Sequence, residues 1–308
     1  MKDRNSLTRR DMLQGAGVAA LALAMPQLAF AKSVAKAGER EIFTFSDGAL
    51  TLPLSMSAGN RDPKQVAALL QAGGLPTDRN VAPLNVTAIR EGDSFTFVDC
   101  GAGARWLEGT GKLGGALESA SVDREKVSRV IFTHGHPDHL WGAIDEFDEP
   151  FFPNASYFIS QADREFWMSQ EMLDKAPEDR KQFFAGAQRI LKTLGDKLQT
   201  FQPGKEIAPG MMALETGGHT PGHTSIEVKL GNESLVVLGD ALTHPLISFQ
   251  HPDWQPGSDT QPDRAVATRQ KLLDRLAAAK IPFIGYHLPN GGFGRAEKVG
   301  SAYRFVAA

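Results

Sequence analysis

Short apolar runs, broken by Gly, Pro, Asn and Asp, alternate with longer stretches in which apolar residues return every three or four positions. That pattern predicts strands interleaved with amphipathic helices. Ile42-Phe43-Thr44-Phe45 before Ser46-Asp47-Gly48 predicts a strand and a turn, with another strand over residues 50–54. Residues 32–41 are polar and read as frayed. Residues 57–83 read as an excursion from the sheet, with a helical patch at 64–71. Runs at 84–90 and 95–98, separated by Glu91-Gly92-Asp93, predict a hairpin. Helices at 113–119 and 123–127 lead to the apolar run Val130-Ile131-Phe132, which ends directly on Thr133-His134.

The second half resumes the alternation. A strand at 157–159 precedes a helix at 161–169. Phe183, Phe184, Ala187, Ile190, Leu191 and Leu194 fall at helical spacing and predict a long helix over 178–194. Strands are expected at 212–214, 225–229 and 234–238, then a helix over 263–279 capped by Asp263. A final strand at 282–285 ends on Tyr286-His287. No repeat, low-complexity tract or linker divides the chain, so residues 32–308 read as one domain of mixed strands and helices.

Composition adds mainly exclusions. A chain of 308 residues, 42% hydrophobic and 22% charged, has enough apolar material for a full core and excludes collagen-like, disordered and coiled-coil classes. The single cysteine, Cys100, excludes an intramolecular disulfide and a cysteine-rich zinc site, and reads as a small buried residue. Residues 1–31 hold Arg9-Arg10, a short apolar stretch over 15–25 and Ala29-Phe30-Ala31. This is the pattern of a cleaved twin-arginine-type export signal, and its apolar stretch is too short to cross a hydrocarbon core of ~30 Å. A periplasmic location is therefore expected. Residues 1–31 contain four basic and two acidic side chains, so the remainder carries 29 against 34, a net charge of −5. That balance offers no footprint for nucleic acid. No membrane partner is expected once the signal is removed.

The chemistry lies in how the eight histidines are placed. None precedes position 134, and His134-Gly135-His136-Pro137-Asp138-His139 then puts four candidate ligands within six residues, directly after an apolar strand. Imidazole and carboxylate together suit zinc and also iron, manganese, cobalt or nickel. On an extended loop His134 and His136 point the same way and can share one ion. Further candidates stand at strand ends downstream: Gly217-Gly218-His219-Thr220-Pro221-Gly222-His223, Gly239-Asp240, and His287.

With Val98-Asp99-Cys100-Gly101 upstream, this ordered set resembles the metallo-β-lactamase-fold hydrolase superfamily, from about Phe43 to His287. The resemblance implies an α/β fold, an αββα sandwich of two mixed sheets flanked by helices with a two-metal site at one edge. It assigns His134, His136 and His219 to a first ion, Asp138, His139 and His287 to a second, and Asp240 as the bridge. His223 and Asp99 would orient ligands through hydrogen bonds. Two divalent cations, zinc foremost, would hold and activate a water for attack on a C=O or P=O group, with Asp138 or Asp240 relaying a proton to the leaving group.

Within the superfamily, Asp240 argues against the true β-lactamases, which lack the bridging aspartate. The charge balance argues against the nuclease branches. Glu165-Phe166-Trp167-Met168-Ser169-Gln170, the run 173–179, Phe183-Phe184 and Tyr303-Arg304-Phe305-Val306 resemble methyl parathion hydrolase relatives and the quorum-quenching lactonases. The segment matching Trp167, Phe183 and Phe184 would wall an apolar pocket, with one of the two phenylalanines facing the core. Trp106, which departs from the aromatic arrangement of the organophosphate relatives, and His244, four residues past Asp240 in a loop with His251, join the candidate pocket. The implied substrate is a small apolar ester, lactone or phosphotriester. Apolar pockets of this family often adjoin a dimer contact, so the resemblance points toward a homodimer. Two rival readings stand beside it: a mononuclear iron sulfur dioxygenase of the same fold, and a non-catalytic metal-binding protein. Metal content and turnover separate the three.

Overall fold

The computed structural model describes residues 31–308. Apart from Ala31, the export-signal segment lies outside the described residues. Fourteen strands among them form two seven-stranded sheets. The first takes its strands in sequence order: β1 (Ala31–Ala37), β2 (Arg40–Leu52), β3 (Asn80–Glu91), β4 (Ser94–Val98), β5 (Val127–Ile131), β6 (Ser156–Ser160) and β7 (Leu198–Phe201). Its first four strands are antiparallel and its last four run parallel. The second comprises β8 (Glu206–Ala208), β9 (Met211–Glu215), β10 (Thr224–Leu230), β11 (Glu233–Val237), β12 (Phe283–Ile284), β13 (Phe293–Val299) and β14 (Ala302–Ala307). Only β11 and β12 are parallel there.

The helices are α1 (Ser55–Ala58), α2 (Pro63–Ala72), α3 (Leu113–Ser119), α4 (Pro137–Leu140), α5 (Gln161–Met168), α6 (Gln170–Lys175), α7 (Glu178–Leu194), α8 (Ile247–Gln250) and α9 (Pro262–Ala278). Successive strand residues serve opposite faces. Leu235 and Val237 meet Ile42, Ile89 and Ile131 between the sheets, while Val236 and Leu238 pack outward with Leu272, Leu273 and Leu276 of α9. On the other side, Phe97, Val130 and Ile159 of the first sheet pack with Ile190, Leu191 and Leu194 of α7. Burial on both faces at the ends of β5 and β11 explains the apolar runs at 130–132 and 235–238. The result is two mixed sheets flanked by helices, as expected.

Four local expectations are corrected. Residues 32–41 are not frayed: β1 pairs with β2 through a tight turn at Gly38-Glu39, and Val34 and Ala35 pack against the core between the sheets. The polar look of this segment is that of an edge hairpin. The strand, turn and strand expected over 42–54 are one strand, β2, with an irregularity between Ser46 and Ala49. A bulge inserts residues without ending the pairing. Gly48 supplies it at φ 101°, where an added Cβ would stand 1.9 Å from the Gly109 carbonyl oxygen. Residues 282–285 are not the last strand, because β13 and β14 follow. Their alternating Arg295, Glu297, Arg304 and Lys298 mark an exposed edge and hide the strand signal. Finally, α9 begins at Pro262, so Asp263 sits inside the first turn and accepts a hydrogen bond from Gln255 instead of capping.

The β2 bulge aims Asp47 into the interior, where it is fully buried and accepts from the backbone N–H groups of Ala102 (2.8 Å), Gly111 (3.2 Å) and Leu113 (2.8 Å). One carboxylate thus ties the 100–113 loop to the first sheet. Burial pushes its pKa up to about 6, against those hydrogen bonds. Asp47→Ala leaves three buried donors unmatched and is expected to cost about 2–4 kcal/mol, since each orphaned buried group costs roughly 1–3 kcal/mol before relaxation. Urea unfolding reads this directly, and a loss under about 0.5 kcal/mol would show that water replaces the carboxylate.

Candidate metal centre

The candidate ligands stand on loops at the same edge of both sheets. Past β5, Phe132 still pairs with Phe158 through its N–H, and the chain then runs extended through Thr133-His134-Gly135-His136 into α4. Pro137 occupies the first helical position, so Asp138 and His139 fall on the first turn of α4. His219 lies on the loop between β9 and β10. Gly218 there has φ 133°, and its missing Cβ would stand 2.3 Å from Ala265 N, so only glycine lets this loop meet the start of α9. Asp240 follows β11 and His287 follows β12.

These seven side chains converge in two groups, His134, His136, His219 and Asp240, and Asp138, His139 and His287, each with donor atoms within 4.8 Å of one another. His136 Nδ1 is 2.8 Å from His134 Nε2 and 2.9 Å from His219 Nε2. Asp240 lies between the groups: Oδ2 is 3.3 Å from His219 Nε2 and 3.2 Å from His287 Nε2, and Oδ1 is 3.2 Å from His139 Nε2. Asp138 Oδ2 is 3.3 Å from His287 Nε2 and 3.5 Å from His139 Nε2.

Four of the five imidazoles turn Nε2 inward because Nδ1 is engaged outside. His139 Nδ1–H donates to Asp99 (2.8 Å), His219 Nδ1–H to Asp259 (3.0 Å) and His287 Nδ1–H to the Pro83 carbonyl (3.1 Å). His134 Nδ1 faces the Thr133 hydroxyl at 3.1 Å. Such outer bonds set the tautomer that leaves Nε2 free to coordinate. His139 Nε2 and Asp240 Oδ1 are buried and face each other at 3.2 Å, yet neither makes a hydrogen bond. Buried polar atoms are rarely left so, and a divalent cation satisfies both, so the donor set fits the metals expected of it. Without one, charge is balanced by protons. Burial opposes charge on His219 and His287, yet the carboxylates around them raise their pKa values to about 9 and about 10. Burial and neighbouring imidazoles push His134 and His136 down, and burial of Asp240 is outweighed by His287 and His139, which hold it well below the usual range.

His223 is a structural support. Its Nδ1–H donates to the Thr216 carbonyl (3.1 Å), and Nε2 accepts from the Asp240 N–H (2.9 Å), which fixes that residue's backbone. Burial lowers its pKa to about 3, consistent with an imidazole kept neutral. Asp99 accepts from the Thr133 N–H and hydroxyl as well as from His139. Cys100 is buried, its N–H donating to the His139 carbonyl.

A cavity of about 180 Å³ opens onto the centre, walled by Leu50, Leu52, Ala82, Trp106, Leu107 and Phe183 and floored by His136, Asp138, His219, Asp240 and His287. Trp106 and Phe183 therefore line it, and Phe184 is the member of the pair that faces the core. Trp167 does not line it. The indole is buried beneath Gly135, 5.4 Å from the His136 ring, and its Nε1–H donates to Asp163. His244 does not line it either. Its Nδ1 accepts from the N–H groups of Leu246 and Ile247 at the entry to α8. His251 stacks on Trp254 at 4.3 Å. Sequence reasoning overlooked Asp163, Asp259 and Tyr286, whose hydroxyl donates to the Asp138 carbonyl at 2.6 Å. Each lies far along the chain from what it supports; Tyr286 alone adjoined a candidate ligand.

The metallo-beta-lactamase superfamily profile matches residues 79–282, more than half of the chain. The chain belongs to that superfamily. It is similar to the crystal structure of AidC, described as a dizinc quorum-quenching lactonase in complex with a product, with 28% identity and a TM-score of 0.84 over 90% of this chain and 97% of that one. It is equally similar in fold to the hydrolase AbOPH of the beta-lactamase superfamily, at 25% identity and TM-score 0.84 over 92% and 98%. In sequence, the uncharacterized protein YobT of Bacillus subtilis (strain 168) is 26% identical over 52% of this chain, which spans 62% of YobT's length. Together with the two histidine–aspartate groups, these likenesses support a hydrolase of this fold.

His244 offers a pH test away from the candidate ligands. Burial lowers its pKa to about 4, so the folded chain binds fewer protons than the unfolded one between that value and 6.5. Stability from this group is complete above 6.5 and falls as pH drops toward 4, by about 2 kcal/mol at pH 5. In chelator-treated protein, His244→Asn, which keeps an acceptor for the two N–H groups, should flatten that part of the stability–pH curve. An unchanged slope would show that His244 does not titrate there.

Proposed function

We propose that this chain is a dinuclear metal-dependent hydrolase of small apolar substrates, with lactones and carboxylic esters ahead of phosphotriesters. The observation that carries the reading is the position of Asp240, between two ligand groups at the floor of an apolar cavity. His134, His136 and His219 would hold one ion and Asp138, His139 and His287 the other, with Asp240 placed to serve both. Two divalent cations, zinc foremost and iron, manganese, cobalt or nickel also suited, supply Lewis acidity and bring the pKa of water toward neutrality when bound.

The chain's own residues supply the rest. Leu52, Trp106 and Phe183 hold the apolar part of the substrate and exclude water around the reacting carbonyl. Asp138 and Asp240 face the cavity floor, where a carboxylate can pass a proton to the leaving oxygen. No cysteine lines the cavity, and neither Ser57 nor Ser258 on its wall has an imidazole partner; Ser57 binds Asn80 and Ser258 binds the Met56 carbonyl. The likeness to a lactonase supports the lactone reading. A net charge of −5 after residue 31 speaks against a nucleic-acid substrate. No helix among the described residues is long and apolar enough to cross a membrane. Export through residues 1–31 to the periplasm, and assembly as a homodimer, belong to the same proposal.

The test is a panel of acyl-homoserine lactones, aryl esters and phosphotriesters with metal content measured in parallel. About two ions per chain with lactone or ester turnover is expected. A single iron with oxygen uptake would overturn the reading in favour of a dioxygenase, and metal-replete protein inert to the whole panel would favour a binding protein. Asp240→Ala should keep the fold by circular dichroism, fall below two ions per chain and lose at least about 10²-fold in kcat; unchanged turnover would contradict the bridging role. Phe183→Ala should raise KM for an apolar-tailed substrate about 10-fold, roughly 1.4 kcal/mol, with little change in kcat. An equal fall in kcat would place the ring at the chemistry instead.

A further inference from the structure

Asp163 is fully buried, and its two carboxylate oxygens reach two loops that come from different sheets, one oxygen to each. Oδ2 accepts from the Gly135 N–H at 2.7 Å and from Trp167 Nε1–H at 3.0 Å. Oδ1 accepts from the Thr220 hydroxyl in a short bond and from the Gly222 N–H at 3.3 Å. Gly135 stands between His134 and His136 on the loop of the first sheet. Thr220 follows His219 on the loop of the second. A carboxylate has about four lone-pair sites, and here all four are filled.

The surroundings are built for this contact. Asp163 lies in the first turn of α5, capped by Ser160, whose hydroxyl also donates to the Gly222 carbonyl at 2.6 Å. A Cβ on Gly222 would stand 2.1 Å from Asp163 N, and one on Gly135 would stand 2.4 Å from the Trp167 ring. Both glycines thus let their loops come down onto α5. The second group is held by other means: Asp99 on His139, the Pro83 carbonyl on His287, and the Tyr286 hydroxyl on the Asp138 carbonyl. Asp163 takes part in none of these bonds.

We propose that Asp163 is a positioning residue for the first ion alone, joining the His134–His136 and His219 loops so that three imidazoles from two sheets meet at one point. This rests on the reading that the two groups hold two ions. Loss of an outer partner of this kind weakens metal binding by roughly 10–100-fold. Asp163→Asn presents an N–H₂ where two loops present donors, so it breaks the clamp on one side.

Cadmium-113 NMR and chelator-competition titration with zinc test it on the full chain. Wild type should show two resonances and two ions. In Asp163→Asn one resonance should shift or vanish and one binding step weaken roughly 10–100-fold, the other staying within about 3-fold. Tyr286→Phe, which removes the hydroxyl from the Asp138 carbonyl, should disturb the opposite resonance. Trp167→Phe and Thr220→Val each remove one donor and should weaken the same step as Asp163→Asn, by less, with Thr220→Ser restoring it. These milder variants carry the test should Asp163→Asn fail to fold. If Asp163→Asn, or the milder pair, weakens both steps alike or neither, the assignment is overturned and Asp163 is only a staple of the fold. A wild type that takes up fewer than two ions would instead overturn the functional reading beneath it.

Discussion

A buried carboxylate surrounded by imidazoles is the constraint on which the rest of the structure depends. Asp240 lies 3.2–3.9 Å from His134, His139, His219 and His287, on loops of both sheets, with almost no access to water. A charge so placed is tolerated only when it is paired and hydrogen-bonded. The surroundings meet that requirement from every side: His223 fixes the Asp240 N–H, while Asp99, Asp259 and the Pro83 carbonyl turn the imidazoles. What remains, His139 Nε2 and Asp240 Oδ1 facing each other at 3.2 Å without a hydrogen bond, is what a cation would complete.

The two sheets make this convergence cheap to build. Ligands from the first half of the chain stand past β5, and those from the second half past β9, β11 and β12, so each loop inherits its position from a strand paired within a sheet. Asp47 and Asp163 extend the same device. Each is a buried carboxylate that gathers backbone donors of a loop, one setting the 100–113 wall beside the cavity and the other drawing the first-group loops together. Rigid strands set the coarse position and buried carboxylates the fine one, which agrees with function residing on loops held by a scaffold.

The αββα layering and the seven converging side chains were legible through the family resemblance, because each motif that carries it is a short local run at a strand end. A β-branched run ending on His-x-His-x-Asp-His needs no distant residue to be noticed. The edge hairpins β1–β2 and β13–β14 were lost because an edge strand with one wet face alternates polar and apolar residues as a loop does. The bulge in β2 imitated a turn, since Ser46-Asp47-Gly48 has the composition of one. Trp167 and His244 were misread as pocket candidates, whereas the Phe183-Phe184 pair divides between pocket and core as expected, with Phe184 the core member. A helix carries large aromatics on its core face as readily as on its pocket face, and His244 bonds its own neighbours within three residues. Asp163 and Asp259 escaped notice altogether, because the ligand loops they hold lie 28 to 59 residues away.

The central claim is that the two ligand groups form one dinuclear centre bridged by Asp240. Anomalous diffraction from zinc-loaded crystals tests it most directly. Two peaks, roughly 3.5–4 Å apart and both within bonding distance of the Asp240 carboxylate, are the predicted result. A single peak confined to His134, His136 and His219, or two ions with Asp240 turned away from one of them, would contradict it.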